Sequence, residues 1–294
     1  MKKYIPWRFQ SKTNLLNSCS NFIFRKVLNT PPIYCDPNSA CCYCTVTCHR
    51  DVAIAILAIK SFLRFFNQIS VEIQDDGSLT ANDKSLFEKH IPGCRLHSRE
   101  STDKIIQPLI SHDLFKARKK DPSMLKLIDS NILFNKKRIV ADSDIIFMKK
   151  PDEIIDWLRI KKPTQSFYHE VNEANKLFAN KINFINSQLG TNIQKLDYCS
   201  GLIGFNKSIP IDEIEKTFKC LSSISNVWGL EQNIFAFLLK EKSMKLPPQH
   251  YLAIIKETAS DILREAKMIH FVGKFKHKQY LNCGNLVISE LGNL

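Results

Sequence analysis

The hydrophobic pattern divides the first half of the chain into short β-prone runs that alternate with amphipathic stretches. Cys41 to Thr47 predicts a first strand, with Cys42, Cys44 and Val46 on one face. After Cys48-His49-Arg50-Asp51, Ile54, Leu57, Ala58, Phe62 and Phe65 recur at helical spacing, with Arg64 outside. Val71 to Gln74 predicts a second strand, closed by Asp75-Asp76-Gly77-Ser78. Thr80, with Asp83 three residues on, marks the start of a helix running to His90. Pro92-Gly93 turns the chain into a short strand at Arg95-Leu96-His97. A helical region follows from Ile105 to Leu133, interrupted at Asp121-Pro122. Ile139-Val140-Ala141 then leads into Asp142-Ser143-Asp144, and Ile145-Ile146-Phe147 follows.

The second half is less regular. It predicts a short helix at Pro151 to Trp157, a strand at Phe167-Tyr168, and a polar helix or mobile segment from Asn172 to Gln188. A strand with two glycines spans Tyr198 to Asn206. Helices are expected at Asp212–Leu221 and Leu230–Lys240, and a late strand at Met268–Phe271. Residues 1–38 read as a leader with one amphipathic segment, Asn14 to Leu28. Strand–helix alternation over residues 41–144 argues for an α/β chain with a mainly parallel central sheet flanked by helices.

Ligands of such sheets bind beyond the strands' carboxyl ends. His49 and Arg50, Asp75-Asp76, and Asp142 with Asp144 all fall at such ends, which predicts one shared cleft. Two carboxylates spaced i and i+2 at a strand end project to one side and suit a hard divalent cation such as Mg²⁺ or Mn²⁺. An isolated D-x-D is commonly a solvated turn; the apolar runs on both sides point instead to a buried strand delivering acid to a cleft. Of the nine glycines, Gly77, Gly201, Gly204, Gly229 and Gly273 sit in or beside these motifs, where backbone must turn sharply or lie against a ligand.

Composition narrows the class. At 44% hydrophobic the chain is not disordered, and no apolar run approaches the roughly 20 residues that span a bilayer. Met1-Lys2-Lys3-Tyr4-Ile5-Pro6-Trp7-Arg8 lacks the apolar core of an export signal, so a cytoplasmic protein is expected. The net charge of +13 suits nucleic acid, an anionic membrane surface or a phosphate-bearing substrate. The basic residues are dispersed and form no nucleic-acid-binding signature, so no nucleic-acid partner is expected. Without an export signal the ten cysteines do not read as a disulfide framework. Cys35, Cys41, Cys42, Cys44, Cys48 and His49 are either zinc ligands or small packed hydrophobes. The lack of paired C-x-x-C knuckles favours packing.

Asp142-Ser143-Asp144, Cys199-Ser200-Gly201, Glu231-Gln232 and His270-Phe271-Val272-Gly273 follow one another in an order that resembles GT-A fold glycosyltransferases. The closest resemblance is to the retaining family 8 type, the galactosyltransferase and glycogenin group, and it covers residues 41–280. It implies a single GT-A catalytic domain over residues 39–294, with a nucleotide-binding half (39–150) and an acceptor-binding half (151–294). Asp142 and Asp144 would hold Mn²⁺ or Mg²⁺, with His270 as third protein ligand. Asp142, Thr47, His49, Arg50 and Asp76 would bind the nucleotide, and Lys276, helped by Lys274, its diphosphate. Lys126, Ser200 and Gly201 would face the donor sugar, and Glu231 and Gln232 the reacting centre. The activity implied is metal-dependent transfer of a hexose from a nucleotide sugar, UDP-linked, to a hydroxyl acceptor.

The sequence also departs from that family. His277 and Lys278 stand where proline and tryptophan usually follow the lysine, Cys199 replaces the usual asparagine, and Asp75-Asp76-Gly77-Ser78 looks like a segment of inverting family 2 enzymes. Retention and inversion both stay open. The alternatives are a sugar-phosphate nucleotidyltransferase and a basic nucleic-acid-binding protein. The first shares the sheet and carboxylates but normally has a glycine-rich loop where this chain has His49-Arg50-Asp51-Val52. The dispersed positive charge would also suit a glycolipid acceptor, with peripheral contact at the inner membrane face.

Overall fold

Two sheets meet at Asp142-Ser143-Asp144. The computed structural model describes residues 22–161, 165–171, 176–224, 229–254, 258–272 and 278–294. The larger sheet has seven strands: β1 (Cys41–Thr47), β2 (Ser70–Asp75), β3 (Arg95–His97), β4 (Lys137–Ala141), β6 (Ser166–Glu170), β7 (Tyr198–Phe205) and β8 (Ser243–Lys245). Their order is β3-β2-β1-β4-β7-β6-β8. β7 alone runs against the other six, pairing antiparallel with β4 on one side and β6 on the other. The smaller sheet contains β5 (Ile145–Phe147), β9 (Tyr251–Ile254) and β10 (Met268–Phe271), with β10 in the middle.

The larger sheet separates two hydrophobic cores, and the alternation of β1 feeds both. Tyr43 packs with Phe62 on one side, at 5.5 Å between ring centroids, while Cys42 and Cys44 belong to the other core. Burial on both faces is what a mostly parallel sheet requires of its central strands. Cys42 and Cys44 therefore act as packing residues, with sulfurs 3.4 Å apart. Among the described residues, Cys35 to His49 assemble no set of metal ligands.

The helix Val52–Leu63 is buried nearly all round, because it lies between the sheets, the helix Lys278–Leu291 and the segment Arg25–Asn29. Phe24 and Val27, from the stretch expected to be a leader, are fully buried in this core. Lys60 ties the same stretch down, donating to Thr30 Oγ1 at 2.5 Å and to the Pro31 carbonyl at 2.6 Å. No helix among the described residues is long and apolar enough to cross a membrane.

The region expected as one helix with a single break is three helices, Arg99–Ile106, His112–Lys120 and Ser123–Leu133. The first break follows Pro108, and Ser111 then caps the next helix by accepting from the Leu114 amide. The second break is at Asp121-Pro122, as expected. These helices carry a buried ion pair that sets the third one's rotation. The fully buried Arg118 donates through Nε to Asp129 Oδ1 (2.6 Å) and through Nη2 to Asp129 Oδ2 (2.7 Å) and Thr102 Oγ1 (3.0 Å), and it also pairs with Asp103. Lys126 lies one turn before Asp129 on the same helix.

Arg118→Met leaves the Asp129 carboxylate buried without its partner and is expected to destabilise the fold by about 3–5 kcal/mol. Urea denaturation measures this, and Arg118→Met combined with Asp129→Leu should recover most of the loss. Equal stability of the single variant and the parent would show that the clamp contributes nothing.

Candidate active site

Five chain segments converge at the carboxyl ends of the larger sheet. β4 ends at Ala141, and the Asp142 amide donates to the Gly201 carbonyl at 2.8 Å. The chain then crosses into β5, so the two aspartates lie on the connection between the sheets. β10 runs antiparallel to β5, which sets His270 opposite Ile145. There His270 Nε2 lies 3.5 Å from Asp142 Oδ2 and 3.3 Å from Asp144 Oδ1. Because β7 is antiparallel, its first residues rather than its last arrive at this end, bringing Cys199, Ser200 and Gly201.

Gly201 has a steric reason to be glycine. The His270 ring lies against it, and a Cβ there would come within 2.1 Å of the ring's Cε1. Gly229, at φ +86°, turns the chain into the helix Leu230–Leu239. That helix supplies Glu231, which accepts from Ser200 Oγ at 3.0 Å, and Gln232, whose Oε1 lies 3.4 Å from the Ser200 amide. Lys126 reaches in from the third helix and donates to Asp142 Oδ1 at 2.7 Å.

These residues line a cleft of about 340 Å³. Lys126 sits between two carboxylates, 2.7 Å from Asp142 and 3.5 Å from Glu231. Burial alone would pull its pKa down, but Asp142 and Glu231 outweigh it and hold the ammonium charged. Glu231 is left with less compensation. Burial, opposed by Lys126 and reinforced by Asp142, pushes its pKa up to about 7. In the same cleft, ligand atoms of Asp142, Asp144 and His270 all lie within 4.8 Å of one another. Two carboxylates and an imidazole suit Mn²⁺ or Mg²⁺.

Behind His270 lie two donors that the sequence signals less clearly. Cys199 Sγ and His169 Nε2 are 3.4 and 3.2 Å from His270 Nδ1. Burial opposes a thiolate at Cys199, but His169 and His270 bring its pKa down to about 5. Burial likewise opposes charge on His270, while Cys199 and Asp144 raise it well above the ordinary histidine value. His169 carried no local signal, since it meets a residue 101 positions away.

The remaining expected residues lie elsewhere. Thr47, His49, Arg50 and Asp76 stand at the same end of the sheet but do not line this cleft. The Asp76 amide donates to the Thr47 carbonyl (3.1 Å), and Asp76 Oδ1 accepts from Ser78 N and Oγ in a turn with Gly77 at φ +105°. His49 Nδ1 contacts Asp83 at 2.7 Å, and Arg50 forks onto Asp51 at 2.9 and 2.7 Å. Lys274 and Lys276 lie outside the described residues. A larger cavity, about 1110 Å³, opens at the opposite end of the sheet beside Cys41 and Lys137, with Glu213 as the carboxylate in its lining. Among the described residues it has no pair of acids such as metal chemistry needs.

Gly201→Ala drives a methyl group into the His270 ring and should cost about 1–3 kcal/mol. It should also weaken divalent-cation binding by isothermal titration; unchanged affinity would mean that the ring is free to move. Glu231 gives a pH signature. Its raised pKa means that the folded state keeps a proton the unfolded state releases, so stability falls as pH climbs from the ordinary carboxylate range through about 7 and then levels. In melts between about pH 5 and about pH 8 the stability of the parent relative to Glu231→Gln should decline by on the order of a few kcal/mol, the comparison removing the contributions of Cys199 and His270 that both proteins share. The same slope in both proteins would assign the titration to another group.

The sequence matches no protein-family model and no curated protein. The fold is similar to that of the WbbM bifunctional glycosyltransferase, with a TM-score of 0.55 and 14% identity over 86% of this chain and 50% of that one. Mouse xyloside xylosyltransferase 1 gives 0.52 and 11%, over 78% and 97% of the two chains. The glycosyltransferase GlyE of Streptococcus pneumoniae gives 0.52 and 12%, over 86% and 63%. The chain thus spans half the length of WbbM, less than two thirds of GlyE and nearly all of the mouse protein. At these identities the likeness is one of architecture: the mainly parallel sheet flanked by helices is the GT-A glycosyltransferase fold.

Proposed function

We propose that this protein is a metal-dependent glycosyltransferase that moves a hexosyl group from a nucleotide sugar, UDP-linked, to a hydroxyl acceptor. One observation carries the reading: the Asp142, Asp144 and His270 set shares one cleft with Glu231 and Gln232 at the carboxyl ends of a GT-A sheet. Mn²⁺ or Mg²⁺ held by that set would supply Lewis-acid stabilisation of the departing diphosphate. The order of the four motifs along the chain supports the same assignment.

The chain's own groups have distinct tasks in this reading. Lys126 keeps a fixed positive charge beside the donor sugar. Ser200 is held by Glu231 through its hydroxyl, and Gly201, whose missing side chain makes room for the His270 ring, presents its backbone to the donor sugar. Glu231, with a pKa near neutrality, is matched to proton exchange with an acceptor hydroxyl at working pH. Gln232 faces the reacting centre beside it. Thr47, His49, Arg50 and Asp76 are assigned to the nucleotide from their position at the ends of β1 and β2, and Lys274 and Lys276 to the diphosphate from motif order. The 49–51 turn after β1 has no glycine, which counts against a nucleotidyltransferase.

Isothermal titration with UDP, GDP and their sugars, with and without Mn²⁺, tests the proposal. Mn²⁺-dependent binding of UDP is expected, and Asp144→Ala should weaken it by about 100-fold or more, beyond the effect of losing an outer-shell partner. Failure of every nucleotide to bind would sink the reading.

A further inference from the structure

The back of the His270 ring faces a donor set that the proposed chemistry leaves unused. His169 Nε2, Cys199 Sγ and His270 Nδ1 come from β6, β7 and β10, and all three side chains are buried. The β6–β7 register shifts between Tyr168 and His169, so that His169 pairs with Cys199. Such irregularities re-aim side chains beside functional sites. The His169 and Cys199 donor atoms lie 3.2 and 3.4 Å from His270 Nδ1. Around a tetrahedral ion with metal–nitrogen bonds of about 2.0–2.1 Å and a metal–sulfur bond of about 2.3 Å, such atoms stand roughly 3.3–3.6 Å apart.

A further contact fixes the direction of one lone pair. His169 Nδ1 lies 3.2 Å from the Leu202 carbonyl. A carbonyl only accepts, so Nδ1 carries a proton, and in the neutral ring the lone pair of Nε2 points toward Cys199 and His270. Metal-ligating histidines are oriented by this kind of hydrogen bond. The His169 Nε2, Cys199 Sγ and His270 Nδ1 atoms thus converge on one point.

We propose that His169, Cys199 and His270 form a second metal site, for a thiophilic divalent ion such as Zn²⁺, and that its occupation excludes a cation from the aspartate site. The ion takes the place of the proton on His270 Nδ1, which leaves to solvent. Cys199 then ligates as thiolate and both histidines as neutral imidazoles. A neutral imidazole has a single lone pair, so His270 Nε2 keeps its own proton and donates it toward Asp142 and Asp144. The aspartates thereby lose their third ligand. Bridging both ions would require removal of the ring's last proton. The exclusion rests on the proposed role of Asp142, Asp144 and His270; the soft-metal site does not.

Co²⁺ titrated anaerobically into the full chain, with a phosphine reductant, tests the site through the near-ultraviolet thiolate-to-cobalt charge-transfer band. The band is expected in the parent protein and in Asp144→Asn, and absent in Cys199→Ser and Cys199→Asn, with circular dichroism melts confirming that each variant is folded. Mn²⁺ binding followed by electron paramagnetic resonance should weaken about tenfold or more when one equivalent of Zn²⁺ is present, and should be indifferent to Zn²⁺ in the Cys199 variants. Absence of the band in the parent, its persistence without Cys199, or equal displacement of Mn²⁺ in all proteins would overturn the proposal. A cobalt band in a protein that never binds Mn²⁺ upholds the soft site and removes both the exclusion and the catalytic-metal reading.

Discussion

The hydrogen bond from the Asp142 amide to the Gly201 carbonyl, 2.8 Å long, joins the end of β4 to the start of β7 where the chain leaves one sheet for the other. Much of the site depends on that junction. β7 must run antiparallel for Cys199, Ser200 and Gly201 to reach the carboxyl ends of its neighbours. β5 must diverge into the smaller sheet for β10 to bring His270 against the aspartates. Gly201 then has to be small, because the ring that closes the metal set rests on its backbone.

Beside Asp142 and Glu231, charge is distributed around the buried Lys126 ammonium. Lys126 lies nearer Asp142 than Glu231, so Asp142 receives most of its compensation and Glu231 bears the cost of desolvation. The cleft therefore offers the Asp142 and Asp144 carboxylates for a cation and, at Glu231, a carboxyl that titrates near neutrality. The position of Lys126 is itself set from outside the cleft, by the Arg118–Asp129 pair one turn along the same helix. His270 has two different faces, with carboxylate oxygens before Nε2 and a thiol and an imidazole behind Nδ1. The ring thus couples a hard donor set to a soft one.

The sequence determined what depends on neighbours along the chain. Period-two alternation gave β1, helical spacing gave the helix after His49, and apolar runs flanking the D-x-D marked a strand that ends in acid. Thr80 and Asp83 form the reciprocal cap that their spacing predicts. Asp142 and Asp144 were legible as acids at a strand's carboxyl end, whereas Ser200, Gly201, Glu231, Gln232 and His270 stood out through the order of motifs that resembles GT-A enzymes, since Ser200, Gly201 and His270 lie within strands. The tertiary structure decided what depends on register and direction. β8 and β9 are three and four residues long, too short for a period to show, and they take their form from the strands beside them. Phe24 and Val27 looked like part of a leader because their burial comes from helices distant in sequence. The break after Pro108 was hidden inside an otherwise helical stretch. His169 joins Cys199 and His270 only through a shifted strand pairing and a second sheet, and contacts spanning 30 to 100 residues leave no spacing for the eye to find.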